Sequence, residues 1–534
     1  MQLHLLDHLV LLAYLVAMLY LGWRLSKGQT TDEEYFLGGR RLPWFAVGVS
    51  IIASLLSSIT YLGSPSAVWY YGFGSFLSNL VAVPIDLAVI LLVAIPFFVR
   101  FKFTTAYEYL EHRFDLSVRL LGASLFLIFV TLLMGVIVMV SSRALADATG
   151  IHLFIVIATI GFVSTIYTMM GGIKAVVWTD VIQAALLLGG GLFIIGYVAW
   201  STGSGPMAWI ESVNSRENAG FLLASADPTV PATLLTMTLS ASIWTLVAHC
   251  ANQMTLQRYF STVDVRAAKR SFVTCTMVSL LLGVVLALVG AALVFYYNHG
   301  AATLPEYIDP LTGKGRDSIF PYFVTSQIPP GFTGAIFAAL LAAGMSSIDS
   351  GVNSFATVVT VDFGRLFKRR REGSHIFQAR VITLIVGTVV TVAAMYLDGL
   401  TGMDDILTIL PKTFNSLVGS MGGLFLAGMF IPRASSPCVW LAAAVGLIVA
   451  LAVAYSRNIF QAIGDSTLGM LVGPDFAQSL VDNGIGFTWI ILCSAVASLG
   501  TAWLLSFVFP NRDLDRIKGL TWATRHEPSK FTSL

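Results

Sequence analysis

Oxygen-bearing side chains gather in AAGMSSIDSGVNS, residues 342–354, a segment with apolar sequence on both sides. Ser346, Asp349 and Ser350 are three and four positions apart, so their oxygens converge on neighbouring faces of one helical turn. Hydroxyl, carboxylate and carbonyl oxygens are hard ligands, suited to a hard cation such as sodium. The alternative is a helix interface of small residues, whose serines bond to carbonyls of the preceding turn. Because that alternative does not account for Asp349, the pattern favours an ion site.

A second group of hydroxyls lies in SIIASLLSSITYLGSPSAVWYYG, residues 50–72. Pro65 removes a backbone donor and Gly63 weakens the helix, so we expect a helix break near these residues. A broken helix exposes backbone carbonyls at membrane depth, and transporters place ions and substrates at such breaks. The alternative is a bent helix that only packs against its neighbours.

A third group lies in MMGGIKAVVWTDVIQ, residues 169–183, with Asp180 about two turns beyond Lys174. A carboxylate at that depth requires a cation or a hydrogen-bond donor, and is a functional hypothesis by default. Asp180 is therefore another candidate ion ligand, and an ion pair inside the protein is the alternative. Other polar residues within apolar segments favour structural pairing or a solute pocket: Asp86, His249, Asn252, Gln253, Lys412 and Asn415.

Long apolar segments must hold these groups. The chain is 56% hydrophobic and 11% charged, and its mean hydropathy is +0.80. Soluble domains carry about a quarter charged residues, so this composition predicts an all-α polytopic membrane protein. A spanning helix needs about 20 mostly apolar residues, and about 13 segments qualify. They are 8–26, 44–70, 75–100, 117–145, 152–170, 173–199, 234–256, 270–297, 331–364, 377–397, 402–431, 437–456 and 483–509.

Charge predicts the orientation. Most of the 31 Lys and Arg residues fall in alternate loops, among them 258–270 and 365–371. By the positive-inside rule, the N-terminus lies outside and the C-terminus inside. The first apolar segment ends in basic residues without a cleavage site, so we interpret it as a retained helix. We expect the polar tail from 510 to 534 to be disordered.

Other function classes lack the residues that they need. No basic surface on a soluble domain is evident, so we expect no nucleic-acid partner. The cysteines are scattered, without metal-ligand spacing or a disulfide pattern: Cys250, Cys275, Cys438 and Cys493. The histidines show no paired spacing and no cysteine has an evident partner, so we do not expect an enzyme. The sequence predicts a multi-pass protein of the inner or plasma membrane.

Five stretches of the chain resemble one family. They are EYFLGGRRLPWFAVGVSIIASLLSSIT (34–60), TAYEYLEHRFD (105–115), YTMMGGIKAVVWTDVIQ (167–183), NQMTLQRYF (252–260) and MSSIDSGVNS (345–354). Through them, residues 33–432 resemble the sodium:solute symporter family, which includes bacterial sialic acid and sugar transporters and animal glucose, iodide, monocarboxylate and vitamin carriers. The resemblance implies a LeuT-type fold with two five-helix repeats of inverted topology. The implied parts are an extra helix and inner loop (1–43), the first repeat (44–199), an outer loop (200–233), the second repeat (234–431), two C-terminal helices (432–509) and a cytoplasmic tail (510–534).

The resemblance also implies sodium-coupled import of a small organic solute by alternating access. The partners are then sodium ions, the solute and the lipid bilayer, and we expect the monomer to be functional. A first sodium site maps onto Ala53, Leu56, Ala343, Ser346 and Ser347. A second, described in sialic acid transporters, maps onto Asp180, Ser346, Asp349 and Ser350. The sialic acid type has a hydroxyl residue where this chain has Asp349, and the extra carboxylate either strengthens sodium binding or holds a proton.

The solute itself is less well specified. Candidate solute ligands are Ser57, Thr60, Asn79, Trp244, Asn252, Gln253 and Asn415. Sialic acid transporters hold a carboxylate with an arginine on the third core helix, where this chain has Leu133, which argues against that binding mode. YLGSPSAVWYYG resembles the monocarboxylate, iodide and vitamin branch, a sugar or polyol suits Asn and Gln without Arg, and a small anion held by Lys412 or His249 is a third option. The alternative function is a solute sensor that signals without transport.

Overall fold

The computed structural model describes most of the chain. The described residues are 3–27, 29–216, 222, 224–225, 227–230, 232–300, 302–306, 308, 318–364, 375–401, 414–464, 470 and 472–527. These residues form helices and connecting loops, and one isolated bridge joins Ala434 to Pro510. The predicted all-α class is confirmed.

The helices are numbered in chain order. The first half contains α1 (Leu5–Leu25), α2 (Asp32–Leu37), α3 (Trp44–Leu55), α4 (Ser58–Tyr71), α5 (Gly74–Val89), α6 (Ile95–Phe98), α7 (Glu108–Arg113), α8 (Leu116–Thr149), α9 (Leu153–Thr202), α10 (Pro206–Asn214) and α11 (Leu234–Cys250). The second half contains α12 (Gln253–Phe260), α13 (Val265–Asn298), α14 (Ile319–Gln327), α15 (Phe332–Val358), α16 (His375–Thr401), α17 (Asn415–Phe430), α18 (Ser436–Ala454), α19 (Ser456–Ile463), α20 (Pro474–Asn483) and α21 (Trp489–Val508). Short turns of other helix types are Gly38–Arg40, Ile90–Ala94 and Val359–Phe363.

Many of these helices are long enough to cross a membrane. Within the described ranges, nine are sufficiently long and apolar, and two bent pairs bring the total to 11 spanning elements. The bent pairs are α3 with α4, at 68°, and α11 with α12, at 51°. Nearly every residue of α15 is buried, and α15 packs against α1, α8, α9 and α3. The helix that carries the serine-rich segment is therefore the centre of the molecule.

The first helix break differs in position from the prediction. The helix is interrupted at Leu56 and Ser57, both in extended conformation, whereas Gly63 and Pro65 lie inside α4. Membrane-spanning helices tolerate an interior proline such as Pro65, because neighbouring groups can satisfy the backbone that it frees. The actual break frees carbonyls at the end of α3, and hydroxyls from a distant part of the chain satisfy them, as described below. The sequence expectation of a break was thus misplaced by about two helical turns.

The second conformational break lies inside α9. A helix of 50 residues would be about 75 Å long, far more than the roughly 30 Å of a bilayer core. Gly172 interrupts it with φ 52° and ψ −154°, a region that is essentially restricted to glycine. A Cβ atom at this position would lie 2.5 Å from the backbone oxygen of Tyr35. Gly172 therefore allows both the turn and the close approach of α2.

Replacing Gly172 by alanine is expected to destabilise the protein by about 2 kcal/mol or more, because backbone strain and overpacking each cost about 1–3 kcal/mol. The measurement is the melting temperature of the purified variant. Gly189→Ala is the matched control, since Gly189 lies on the same helix and its added Cβ would meet no atom within 4 Å. Equal melting temperatures for the two variants would contradict the role given to Gly172.

The described part of the C-terminal tail is ordered, so the expectation of disorder is wrong up to residue 527. Leu520 is 1% exposed, and its carbonyl accepts a hydrogen bond from the Tyr109 hydroxyl at 3.0 Å. Arg100 donates to the carbonyls of Gly519 and Arg525, both at 2.5 Å. The backbone N–H of Trp522 donates to Met429 O of α17 at 2.8 Å. Polar composition misled the prediction because backbone carbonyls of the tail, rather than its side chains, make most of these contacts.

Candidate functional site

The first oxygen cluster forms where the break after α3 meets α15. Carbonyls at the end of a helix lack intrahelical partners, and α3 leaves those of Ala53 and Ser54 free. The Ser346 hydroxyl donates to Ala53 O at 2.8 Å and to Ala343 O at 3.1 Å. The Ser347 hydroxyl lies 3.1 Å from Ser54 O and 3.4 Å from Ala343 O. Carbonyl and hydroxyl oxygens from two distant segments therefore meet at one buried point.

Four of the residues predicted for the first sodium site meet at this point. They are Ala53, Ala343, Ser346 and Ser347, all at most 1% exposed. Leu56 lies at the break itself, with φ −94° and ψ 97°. The Ser54 carbonyl is an additional member that the sequence did not single out.

A second cluster surrounds Asp349. Its Oδ2 atom accepts hydrogen bonds from the Tyr167 hydroxyl at 2.8 Å and the Thr179 hydroxyl at 3.4 Å. Its Oδ1 atom accepts one from Ser350 at 3.1 Å. Asp349 is fully buried, and these three hydroxyls donate to its carboxylate. An intramembrane carboxylate surrounded by hydroxyls has the ligand types of a hard-cation site.

Asp180 lies beside this cluster and forms an ion pair. Arg258 of α12 donates through Nη2 to Asp180 Oδ2 at 3.1 Å, and the two side chains are 1% and 0% exposed. Ser50 donates to the same oxygen at 2.5 Å, while Asp180 Oδ1 is buried without a hydrogen-bond partner in the described structure. The alternative noted for Asp180, an ion pair within the protein, is therefore present. Asp180 therefore has one carboxylate oxygen, Oδ1, available to bind a cation.

Arg258 connects Asp180 to Ser350 of the second cluster. Its guanidinium also donates to Ser50 Oγ at 2.7 Å and to the Ser350 hydroxyl. The Ser54 and Ser350 hydroxyls lie 2.7 Å apart, which connects α3 directly to α15. The guanidinium thus pairs directly with Asp180, and the Ser350 hydroxyl lies between it and the second buried carboxylate, Asp349. Two carboxylates and one guanidinium leave one negative charge unpaired. Because unpaired buried charge is unfavourable, Asp180, Asp349 and Arg258 together can take up one more cation or proton.

From the sequence, Arg258 was placed in an inner loop, whereas the structure places it in α12, with its side chain 1% exposed. The chain bends between α11 and α12 at Ala251 and Asn252, and the bend directs α12 into the protein. The stretch NQMTLQRYF was identified from the sequence as one that resembles the family, but its spacing did not reveal which residue points inward. Tyr167 and Thr179 were missed because single hydroxyls in an apolar helix are common.

A cavity of about 400 Å³ lies beside the α3–α4 break, between α4, α5, α11 and α13. Three predicted solute ligands line it: Thr60, Asn79 and Trp244. The described lining does not include Ser57, Asn252, Gln253 or Asn415. Asn252 caps α12 by accepting from Met254 N at 2.9 Å, and the Gln253 amide bonds to the backbone of Thr104 and Ala106. The side chains of Asn252 and Gln253 therefore bond to the protein backbone. Asn415 is the first residue of α17.

Comparison with known proteins gives consistent matches. Residues 35–448 match the family model of the sodium:solute symporter family. A sodium/sialic acid symporter from Proteus mirabilis is 32% identical over 500 residues, which cover 90% of this chain and 97% of that protein. A sodium-dependent multivitamin transporter from Oryctolagus cuniculus is 30% identical over 473 residues, covering 86% and 70%.

A solved structure also matches over nearly the whole chain. It is a Na⁺-coupled sialic acid symporter in a substrate-bound outward-open state, described as having a novel Na⁺ site. The TM-score is 0.79 at 26% identity, over 95% of this chain and 99% of the other. The two folds are therefore similar over nearly the whole chain.

Proposed function

Since the chain belongs to the sodium:solute symporter family, we propose that it imports a small organic solute together with sodium by alternating access. It is a multi-pass membrane protein, and sodium is its coupling ion. The observation that carries the proposal is the buried meeting of the α3–α4 break with the α15 serines. An ion bound there would hold together two segments that must separate for the solute to leave.

The first sodium site comprises the carbonyls of Ala53, Leu56 and Ala343 with the hydroxyls of Ser346 and Ser347. The second comprises Asp180, Ser346, Asp349 and Ser350, next to the Arg258 guanidinium. Two observations support the second site: the unpartnered Asp180 oxygen and the excess of carboxylate over guanidinium charge. Both sites use oxygen ligands alone, which suits sodium better than a transition metal.

The proposed membrane arrangement has 13 spans. It counts α9 as two spans separated at Gly172, each bent pair as one, and the short apolar helix α17 as one. The repeats are then 44–199 and 234–431, with the N-terminus outside and the C-terminus inside. The extra helix precedes them in 1–43, the outer loop is 200–233, and 432–509 and 510–534 follow as two further helices and a cytoplasmic tail. The monomer contains both sites and is the functional unit.

Sodium is expected to raise the melting temperature of the purified protein in potassium chloride buffer, because a ligand that binds only the native state stabilises it by mass action. At 100 times the dissociation constant the gain is about 2.7 kcal/mol. Reconstituted protein should then accumulate a solute only under an inward sodium gradient. The panel comprises sugars, polyols, sialic acid, small carboxylates and small organic amines.

The outcomes separate the competing functions. Sodium-dependent solute binding without accumulation would support the solute sensor instead of the transporter. Chemical change of the solute would contradict the transporter assignment and indicate an enzyme. No effect of sodium, with stabilisation by a higher potassium concentration or by low pH, would show that the clusters serve another ion.

A further inference from the structure

The cavity beside the α3–α4 break has an unusual charge. Its described lining contains one residue with a formal charge, Asp86 of α5, and neither lysine nor arginine. The carboxylate faces Ser242 and Thr245 of α11, which are uncharged. A carboxylate within a membrane protein is rare and normally has a cationic partner. No protein cation fills that role along the described lining.

The other polar groups of the cavity do not offset the negative charge of Asp86. His249 also lines it, but its Nδ1 atom lies 2.7 Å from the Tyr259 hydroxyl, and its ring packs edge-on against Phe272 at 4.8 Å. One nitrogen of the imidazole is thus engaged in a contact within the protein. The remaining polar groups of the lining are hydroxyls, the Asn79 amide, the Cys275 thiol and the Trp244 indole N–H, and none of them carries a formal charge.

Aromatic rings line the same cavity. Phe76 lies on α5 close to Asn79, and Trp244 lies on α11 opposite, one residue before Thr245. Aromatic faces attract cations through the ring quadrupole, with tryptophan the strongest of the three aromatic residues. Asp86 follows Asn79 by seven residues, so both lie on the same face of α5. A carboxylate and aromatic rings around one space form the chemistry of a binding site for organic cations.

We propose that the solute carries a positively charged ammonium group that pairs with Asp86 in this cavity. The inference rests on the proposed transport function and names its substrate class. A solute carboxylate would instead meet a like charge with no compensating cation along the described lining, and like-charge contacts at a buried site oppose binding strongly. A neutral sugar or polyol would leave Asp86 without a cationic partner along the described lining.

Three probes of nearly equal shape test this proposal: choline, its neutral analogue 3,3-dimethylbutan-1-ol, and 3,3-dimethylbutanoate. Each is titrated against the full-length protein in sodium chloride, with the melting temperature as the readout. Choline is expected to half-saturate the protein at a concentration at least about tenfold lower than either analogue, since close charge pairs at binding sites contribute this much or more. Asp86→Asn should abolish this preference.

The matched control is Asp147→Asn, which removes a carboxylate near the end of α8 that does not line the cavity. It should leave the order of the three probes unchanged. Equal or stronger binding of the alcohol or the carboxylate, or absence of choline binding, would overturn the proposal, as would a preference that survives in Asp86→Asn. Failure of the transport function is distinguishable, because in that case sodium alone would not stabilise the wild-type protein.

Discussion

Sodium-driven uptake is expected to be lost when Asp180 is replaced by asparagine. Asparagine keeps the shape and can still accept a hydrogen bond from Ser50, but it removes the charge that attracts sodium. It also leaves Arg258 buried without a carboxylate beside it. Breaking a buried ion pair in this way typically destabilises a protein by about 3–5 kcal/mol. The melting temperature in the absence of sodium should therefore fall as well.

A double variant separates the two effects. In Asp180→Asn with Arg258→Gln, neither buried charge remains, so most of the lost stability should return. Uptake and the sodium-induced rise in melting temperature should remain absent if Asp180 is an ion ligand. Recovery of both would show that Asp180 only neutralises Arg258.

The control for this pair is the ion pair between Arg143 and Asp398, which lies away from the clusters. Its side chains are 30% and 21% exposed, and the guanidinium and carboxylate are 2.6 Å apart. Asp398→Asn should therefore leave the sodium response unchanged. Loss of the sodium response in this variant would mean that uptake depends on ion pairs in general, and not on the site.

Replacing Ser346 and Ser347 together by alanine is expected to raise the sodium concentration for half-maximal uptake at least about tenfold. Removing even outer-shell partners of a metal ion typically weakens binding 10–100-fold. Here two proposed direct ligands are removed, and the carbonyls of Ala53 and Ser54 lose their hydroxyl donors. The measurements are initial uptake rates over a sodium titration and the sodium dependence of the melting temperature.

Ser354→Ala is the matched control for this variant. Ser354 lies two turns further along α15, is fully buried, and its hydroxyl has no hydrogen-bond partner in the described structure. The substitution removes the same atom from the same helix at a position outside both clusters. A similar shift in sodium dependence for Ser354→Ala would point to general loosening of α15 and against the ion site.

The contacts suggest how ion binding would be linked to movement. Arg258 of α12 reaches Ser50 of α3, Asp180 of α9 and Ser350 of α15. Four segments from both proposed repeats therefore converge on one guanidinium. A cation that binds next to Asp349 would change the electrostatic balance of all these contacts together. Coupling between ion and solute is then a property of this shared network.

The membrane class, the apolar segments and the ligand-bearing helix were predictable from the sequence. Apolar runs of about 20 residues predict helices that cross the bilayer, because the thickness of the hydrocarbon core requires that length. The spacing of Ser346, Asp349 and Ser350 identified one helical surface, since neighbours on a helix are three and four residues apart. Asp180 was identified for a similar reason, as a carboxylate in an apolar segment requires a partner.

The break in the first bent helix was predictable only in kind. Proline and glycine are the local signals for a break, and they pointed to residues 63–65. The break at Leu56 and Ser57 is instead stabilised by serine hydroxyls about 290 residues later in the chain. A prediction based on neighbouring residues cannot detect hydrogen-bond partners that are so far away in the sequence.

What the sequence by itself determined is thus the chemistry available: serine, aspartate and freed carbonyls within membrane-spanning helices. Only the tertiary structure decided which of these groups meet. It brought Arg258 from an assumed loop into the protein, where it pairs with Asp180, and it placed Asp86 in a cavity without a described cationic partner. The physical reason is that charge compensation inside a membrane depends on contacts between helices, and those contacts follow from packing, which no single helix encodes.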